Sequence, residues 1–185
     1  MEKTIILASS SPRRQELLQQ VGIDFTLRVA PVNEKKITTL DPIEKVRQLA
    51  LLKGRNVSLE NDEEIIISAD TVVSYENKIF EKPTTEKEAY EMIRSLSGTI
   101  HEVYTGVAMR SKEQEKVFVE KTVVEFWPIE EEEIKQYVQT DEPYDKAGAY
   151  GIQSIGATFV KQINGDYYNV VGLPISRVVR ELQEF

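Results

Sequence analysis

IILASSSPRRQELLQQV, Ile5 to Val21, is the stretch whose reading decides the fold. It opens on Ile5, Ile6, Leu7 and Ala8, an apolar run long enough for a buried strand and too short for a helix. Ser9, Ser10 and Ser11 then stop the run and offer N-cap oxygens, and Pro12 falls where a first helical turn has no N–H to satisfy. Leu17, Leu18 and Val21 recur at helical spacing, and Gly22 supplies a left-handed cap. The product is a strand, a tight polar turn and a helix whose free N–H groups face back over the strand's carboxyl end. Arg13 and Arg14 stand in the first helical turn, the end at which the macrodipole disfavours cations. An anion at that turn would account for both, because backbone donors and guanidinium forks would share it. Two solvated arginines on a surface helix are the plain alternative.

The chain of 185 residues is 41% hydrophobic and 29% charged, the balance of an ordinary soluble globular protein with length for a real core. A formal charge of −8 argues against a general nucleic-acid binder and leaves room for a local basic pocket. With no cysteine, disulfides, thiolate catalysis and cysteine-ligated zinc are excluded. The first residues hold too short an apolar run for a secretory signal, and nothing approaches the ~20 apolar residues of a membrane span. A cytoplasmic location is expected.

Outward from the first helix, Phe25 to Ala30 reads as a second strand, followed by a charged loop that contains Glu34. Asp41-Pro42-Ile43-Glu44 has capping-box spacing, and Ile43, Val46, Leu49, Ala50 and Val57 form the apolar stripe of the helix it starts. Lys53 follows Leu49 and Ala50 by four and three residues, so it leaves the helix on the buried side, either snorkelling or reaching into a cleft. Glu64 to Ala69 is a continuous β-branched run, a central strand with Asp70-Thr71 at its carboxyl end, where open α/β sheets hold ligands. Val72 to Tyr75 and Lys78 to Phe80 form a hairpin across Glu76-Asn77 and bring Lys82 back toward Asp70. Thr84 or Thr85 caps a helix with Glu88 at box distance, its core face Ala89, Met92, Ile93 and Leu96, and Gly98 ends it. Thr99 to Arg110 and Lys116 to Trp127 alternate as an antiparallel pair with one exposed face, a surface that would support a homodimer.

Pro128 opens a helix through Gln139, whose acidic run Glu130 to Glu133 reads as a solvated face. Lys146 to Gly156 is a loop or a tightly packed helix. Thr158 to Ile163 reads as a strand, Asn164-Gly165 as a turn and Tyr167 to Val171 as the return strand. Pro174 starts a terminal helix with Val178, Val179 and Leu182 inward. The whole is one α/β unit with a mixed sheet.

Two tempting motifs fail. Gly151 to Thr158 has P-loop glycine spacing, but Ala157 stands where the phosphate-holding lysine belongs. His101, the only histidine, lies inside a strand with no partner signalled for a triad or a metal site, and reads as structural. What remains is a set of charged residues near element ends: Arg13, Arg14, Glu34, Lys53, Asp70 and Lys82. Four cations and two carboxylates suit a metal-bound polyphosphate, so phosphate-ester chemistry is the favoured reading from the residues alone.

Several motifs in order carry a resemblance: Leu7-Ala8-Ser9-Ser10-Ser11-Pro12-Arg13-Arg14, the Glu34 loop, Leu49 to Lys53, Ser68-Ala69-Asp70-Thr71-Val72-Val73 and Glu81-Lys82-Pro83. Lys146-Ala147-Gly148-Ala149-Tyr150-Gly151-Ile152-Gln153 and Gly165-Asp166-Tyr167-Tyr168-Asn169-Val170-Val171-Gly172-Leu173-Pro174 complete the series. On these the sequence resembles the Maf proteins, a family associated with septum formation, as a single domain over 1–185. The resemblance implies an α/β fold like that of the inosine-triphosphate pyrophosphatases, a mixed, bent sheet flanked by helices with a cleft between two lobes. It implies hydrolysis of nucleoside triphosphates to monophosphate and pyrophosphate with a divalent cation, Mg²⁺ or Mn²⁺. Asp70 would be the general base or a metal-bound carboxylate, and Glu34 its metal partner. Many relatives place an aspartate where Asn33 stands. Ser9, Arg13, Arg14, Lys53 and Lys82 would line the triphosphate site. Arg13, Thr71 and Gln153 look like the subgroup acting on dTTP and UTP, with clean-up of modified nucleotides as a related role. A regulator of septum formation that binds a nucleotide without turnover is the rival reading; neither a membrane nor a stable nucleic-acid partner is expected.

Overall fold

The computed structural model describes residues 3–185. Strand β1 (Thr4–Leu7) lies between β2 (Phe25–Leu27) and β3 (Glu64–Tyr75) and is parallel to both, with Leu7 opposite Leu27 and Ile67. Ile6, Leu7, Ile66 and Ile67 are buried consecutively because the ladder is covered on both faces, which is why these runs are apolar rather than alternating. Helix α1 (Pro12–Gln20) ends in a Schellman turn: Gly22, at φ +72°, donates its N–H to Gln19, and Ile23 donates to Leu18.

Helix α2 (Pro42–Arg55) is capped by Asp41, whose Oδ1 accepts from the N–H groups of Ile43 and Glu44. The reciprocal half of the expected box is not made. Glu44 turns forward to Arg47 and Gln48, and the Asp41 N–H goes to Thr39 Oγ1. Ile43, expected on the buried stripe, is 48% exposed, because the covered part of the helix begins a turn later at Val46.

Strand β3 does not stop at Ala69 but runs unbroken for 12 residues. The parallel ladder ends at the pair Leu7–Ile67, and antiparallel pairing with β4 (Lys78–Phe80) resumes at Val73, so the chain stays extended between them. The β3–β4 hairpin turns at Glu76 and Asn77 with φ 48° and 62°, the two left-handed residues of a type I′ turn.

The chain divides into two compact units. The first comprises residues up to Asp70, Thr105–Glu120 and Gly172–Phe185; the second comprises Thr71–Tyr104 and Lys121–Val171. Strands β3, β5 (Ile100–Arg110) and β6 (Glu115–Phe126) pass from one into the other. Among the described residues the mixed sheet has the order β2-β1-β3-β5-β6-β7, with β4 on β3 and β7 spanning Val160–Asn164. Strand β5 is buried from Val103 to Met109, so the open face expected for it is absent; α2 covers it at Gly106.

In the first unit, Arg28 makes a two-pronged bond to Glu64 at 2.8 and 2.9 Å and holds that carboxyl below its ordinary value. Glu64 is only 3% exposed. Arg28→Met leaves Glu64 with only the Glu60 N–H as a partner and is expected to lower the midpoint of urea unfolding. An unchanged unfolding midpoint would show the pair to be idle. The terminal helix, the sixth of the chain, spans Ile175–Leu182 with Val178 buried.

The second unit packs helix α3 (Glu86–Leu96) and helix α4 (Glu131–Val138) around Ile93, Phe126, Tyr137 and Phe159. Thr85 caps α3, while the Glu88 carboxylate takes the N–H and hydroxyl of Thr84. Helix α4 starts after Glu130 and not at Pro128, because Ser97 Oγ holds the Ile129 N–H and Phe159 O holds that of Trp127. Its Glu130 to Glu133 run is largely exposed. Lys146 to Gly156 is a series of 3₁₀ turns, and the Glu142 carboxylate accepts the N–H groups of Ile155 and Gly156. The P-loop look-alike thus already carries an internal anion.

Tyr167–Val171 is a helix, α5, and not the expected return strand. Asp166 Oδ1 accepts from the Tyr168 N–H, and buried Asn169 donates to Val103 O and Thr122 Oγ1, so tertiary contacts override a strand-like composition. Among the described residues no helix is long and apolar enough to cross a membrane.

Candidate active site

Lys53 is the residue on which the candidate site converges. It leaves the last turn of α2 on the side of buried Leu49 and Ala50, and its Nζ lies 2.5 Å from Asp70 Oδ1 and 3.1 Å from Glu34 Oε1. Glu34 comes from the 3₁₀ turn Glu34–Lys36. Asp70 sits three residues beyond Ile67, past the end of the parallel ladder, so its carboxylate projects where β1 no longer covers β3. The position at a carboxyl end, inferred from sequence, holds for β1 rather than for β3.

The turn between β1 and α1 supplies the second half. Ser11 makes no side-chain cap; Ser9 Oγ instead accepts from the Ser11 N–H at 3.3 Å and from Arg14 Nη1 at 3.2 Å. Arg14 is buried and donates Nε to Gly172 O at 2.7 Å. Burial pulls its pKa down to about 10; Asp70 pushes it up, neighbouring Arg13 adds to the lowering, and Glu34 opposes it. Arg14 therefore remains a cation near neutrality, poorly solvated, in the field of both carboxylates.

Six of the residues singled out from sequence thus share one unit: Ser9, Arg13, Arg14, Glu34, Lys53 and Asp70. Thr71, Lys82 and Gln153 belong to the other unit. Thr71 follows Asp70 on β3, Lys82 is exposed after β4, and Gln153 is exposed in the turn before Ile155. Sequence reasoning missed the role of Gly172. Its carbonyl fixes Arg14, and only a left-handed glycine between Val171 and Leu173 hinted at it.

The donor set admits a divalent cation of one kind. Glu34 and Asp70 bring hard oxygens to a common cation, Lys53, and among the described residues no group of three or more His, Cys, Asp or Glu could enclose a metal ion. Two carboxylates fit an Mg²⁺-like ion that keeps waters and shares phosphate oxygens, and do not fit a closed protein cage.

The family model described as Maf-like protein matches residues 4–185. A dTTP/UTP pyrophosphatase of Bacillus cereus (strain ATCC 10987 / NRS 248) is 52% identical over 183 residues, covering 99% of this chain and 90% of that protein. A dTTP/UTP pyrophosphatase of Bacillus anthracis (strain CDC 684 / NRRL 3495) is 51% identical, covering 99% and 96%. Among solved structures, a HAM1 protein from Coxiella burnetii aligns over 99% of this chain and all of its own with a TM-score of 0.56 at 14% identity, a likeness of fold.

Proposed function

The chain belongs to the Maf-like protein family, and from that premise we propose that it hydrolyses dTTP and UTP to the nucleoside monophosphate and pyrophosphate. Its relatives at 51–52% identity over 99% of the chain bear that activity in their names. The observation that carries the reading in the molecule itself is the Glu34–Lys53–Asp70 cluster with buried Arg14 in its field. Cations held next to a carboxylate are what an anhydride hydrolysis needs: charge for the phosphates and a base for the water.

In the proposed step, the oxygen of a water bonds to the α-phosphorus while its proton passes to a carboxylate oxygen of Asp70. The bridging bond between the α-phosphorus and its oxygen breaks, and the electron pair leaves with pyrophosphate. Lys53, Arg13 and Arg14 offset the charge growing on the phosphate oxygens, and Ser9 keeps Arg14 in place. Lys53, shared in the resting chain between Asp70 and Glu34, exchanges part of that pairing for the substrate. A bound Mg²⁺ or Mn²⁺ supplies Lewis-acid charge neutralisation, with Glu34 and Asp70 as the oxygens that would hold it. Lys82 as a further triphosphate cation, and Thr71 with Gln153 as the groups that select a pyrimidine, rest on the family resemblance. A glutamine amide both donates and accepts, which suits a pyrimidine edge.

The test is pyrophosphate release from a panel of canonical and modified nucleoside triphosphates, with Mg²⁺, Mn²⁺ or excess chelator. Turnover of dTTP and UTP above the purine nucleotides, lost on chelation, is the expected result. Turnover confined to a modified nucleotide would replace the substrate and keep the chemistry. Silence across the panel, with tight nucleotide binding, would turn the reading toward a non-catalytic regulator.

A further inference from the structure

Helix α2 approaches the sheet unusually closely at two points of the first unit. A Cβ on Gly106 of β5 would come within 2.3 Å of the Val46 carbonyl oxygen, so only glycine lets the helix backbone settle there. A Cβ on Gly54 would come within 2.6 Å of Ser68 Oγ but 3.6 Å from Ser68 Cβ. Ser68 is fully buried and donates its hydroxyl to Ala50 O at 2.7 Å. The carbonyl end of the helix is held as well, by Arg110 donating to Gly54 O at 3.3 Å and to Val57 O at 2.5 Å.

These contacts bracket Lys53. Successive side chains of a strand alternate faces, so Ser68 and Asp70 leave β3 on the same side. On a helix, residues three apart share a face, so Ala50 and Lys53 do too. The bond from Ser68 to Ala50 and the pair between Lys53 and Asp70 are therefore consecutive rungs of one helix–strand contact, and the first sets the spacing of the second.

We propose that Ser68 is a positioning residue: its hydroxyl, seated in the notch left by Gly54, fixes the height of α2 over β3 and so the placement of Lys53 against Asp70. This rests on the role proposed above for that pair. A serine that merely filled space would affect stability and leave turnover alone.

Three variants of the full chain test it, each followed by pyrophosphate release and thermal melting. Gly54→Ala drives the Ser68 hydroxyl off Ala50, so kcat is expected to fall about 10²-fold, the cost of a misplacement near 1 Å, with KM nearly unchanged and only a small drop in melting temperature, the gain in helix propensity offsetting part of the lost buried bond. Ser68→Ala adds no atom and keeps the fold, and is expected to lower kcat about 10-fold through the lost bond. In the double variant the new methyl meets only an alanine methyl at ordinary contact distance, so kcat should return to the Ser68→Ala level instead of multiplying the two losses. Unaffected single variants, or losses that multiply in the double variant, in a chain whose wild type turns over, overturn the proposal alone. A wild type without pyrophosphate release overturns the parent reading and this one with it.

Discussion

Asp70→Asn is expected to lower kcat for dTTP and UTP by about 10²- to 10⁴-fold, the range a positioned general base contributes. Asparagine keeps the shape of the side chain and an oxygen that accepts from Lys53, so the 2.5 Å contact to Nζ has a neutral substitute and the local fold has no reason to shift. What disappears is the carboxylate proposed to take the proton from water, and with it one of the two anions, Glu34 and Asp70, that meet Lys53. KM should change far less than kcat, because the cations proposed to face the phosphates, Lys53, Arg13 and Arg14, are kept. A residual rate from those cations is consistent with this view. If Asp70 served only to anchor Lys53, asparagine, which still accepts from Nζ, would leave kcat nearly intact. Steady-state pyrophosphate release over a range of nucleotide concentrations separates the two, and a fully active variant removes Asp70 from the chemistry.

The parts of this site legible in the sequence are the local ones. The passage from strand through serines and proline to helix is decided by neighbours within a few residues, and it forms from Thr4 to the left-handed Gly22, although Ser11 makes no side-chain cap and Val21, expected on the apolar face, is 41% exposed. The side of α2 on which Lys53 emerges also follows from spacing alone. That Lys53 meets Asp70, 17 residues on, depends on how closely α2 seats on the sheet. That seating is governed by Gly54, Ser68 and Gly106, single positions that leave no periodic trace. The clamp from Arg14 to Gly172 joins residues 158 apart and lies beyond any local signal. Where local preference and tertiary contact disagree, contact wins. The stretch from Tyr167 to Val171 is rich in residues that favour strands, yet buried Asn169 and the cap from Asp166 make it helical. Asp70 shows the converse: the strand end expected on β3 belongs to β1, which stops where β3 continues, and the residue is left projecting past the ladder.

Stability should fall steeply with acid through His101, by about 2–3 kcal/mol between pH 6.5 and 4.5. His101 is 1% exposed, its Nε2 lies 2.7 Å from the Tyr150 hydroxyl, and the rings of Phe126 and Tyr150 meet it edge-on. Burial alone pulls its pKa from 6.5 down to about 3. The folded chain therefore holds the ring neutral across a range in which the unfolded chain binds a proton. With more protons on the unfolded state, stability is complete above pH 6.5 and drains as pH falls toward 3. It is the only histidine, and the carboxylates lowered by their partners, such as Glu64 and Glu88, release their own contribution only below about pH 4.5. The interval from 6.5 to 4.5 is thus left to one ring. His101→Gln keeps a group able to bond the Tyr150 hydroxyl and cannot titrate, so its stability curve should be nearly flat there. Urea unfolding of both proteins at half-unit steps of pH measures the difference directly. Parallel curves would mean that the ring is protonated in the folded chain as readily as in the unfolded one, against its burial among Phe126 and Tyr150.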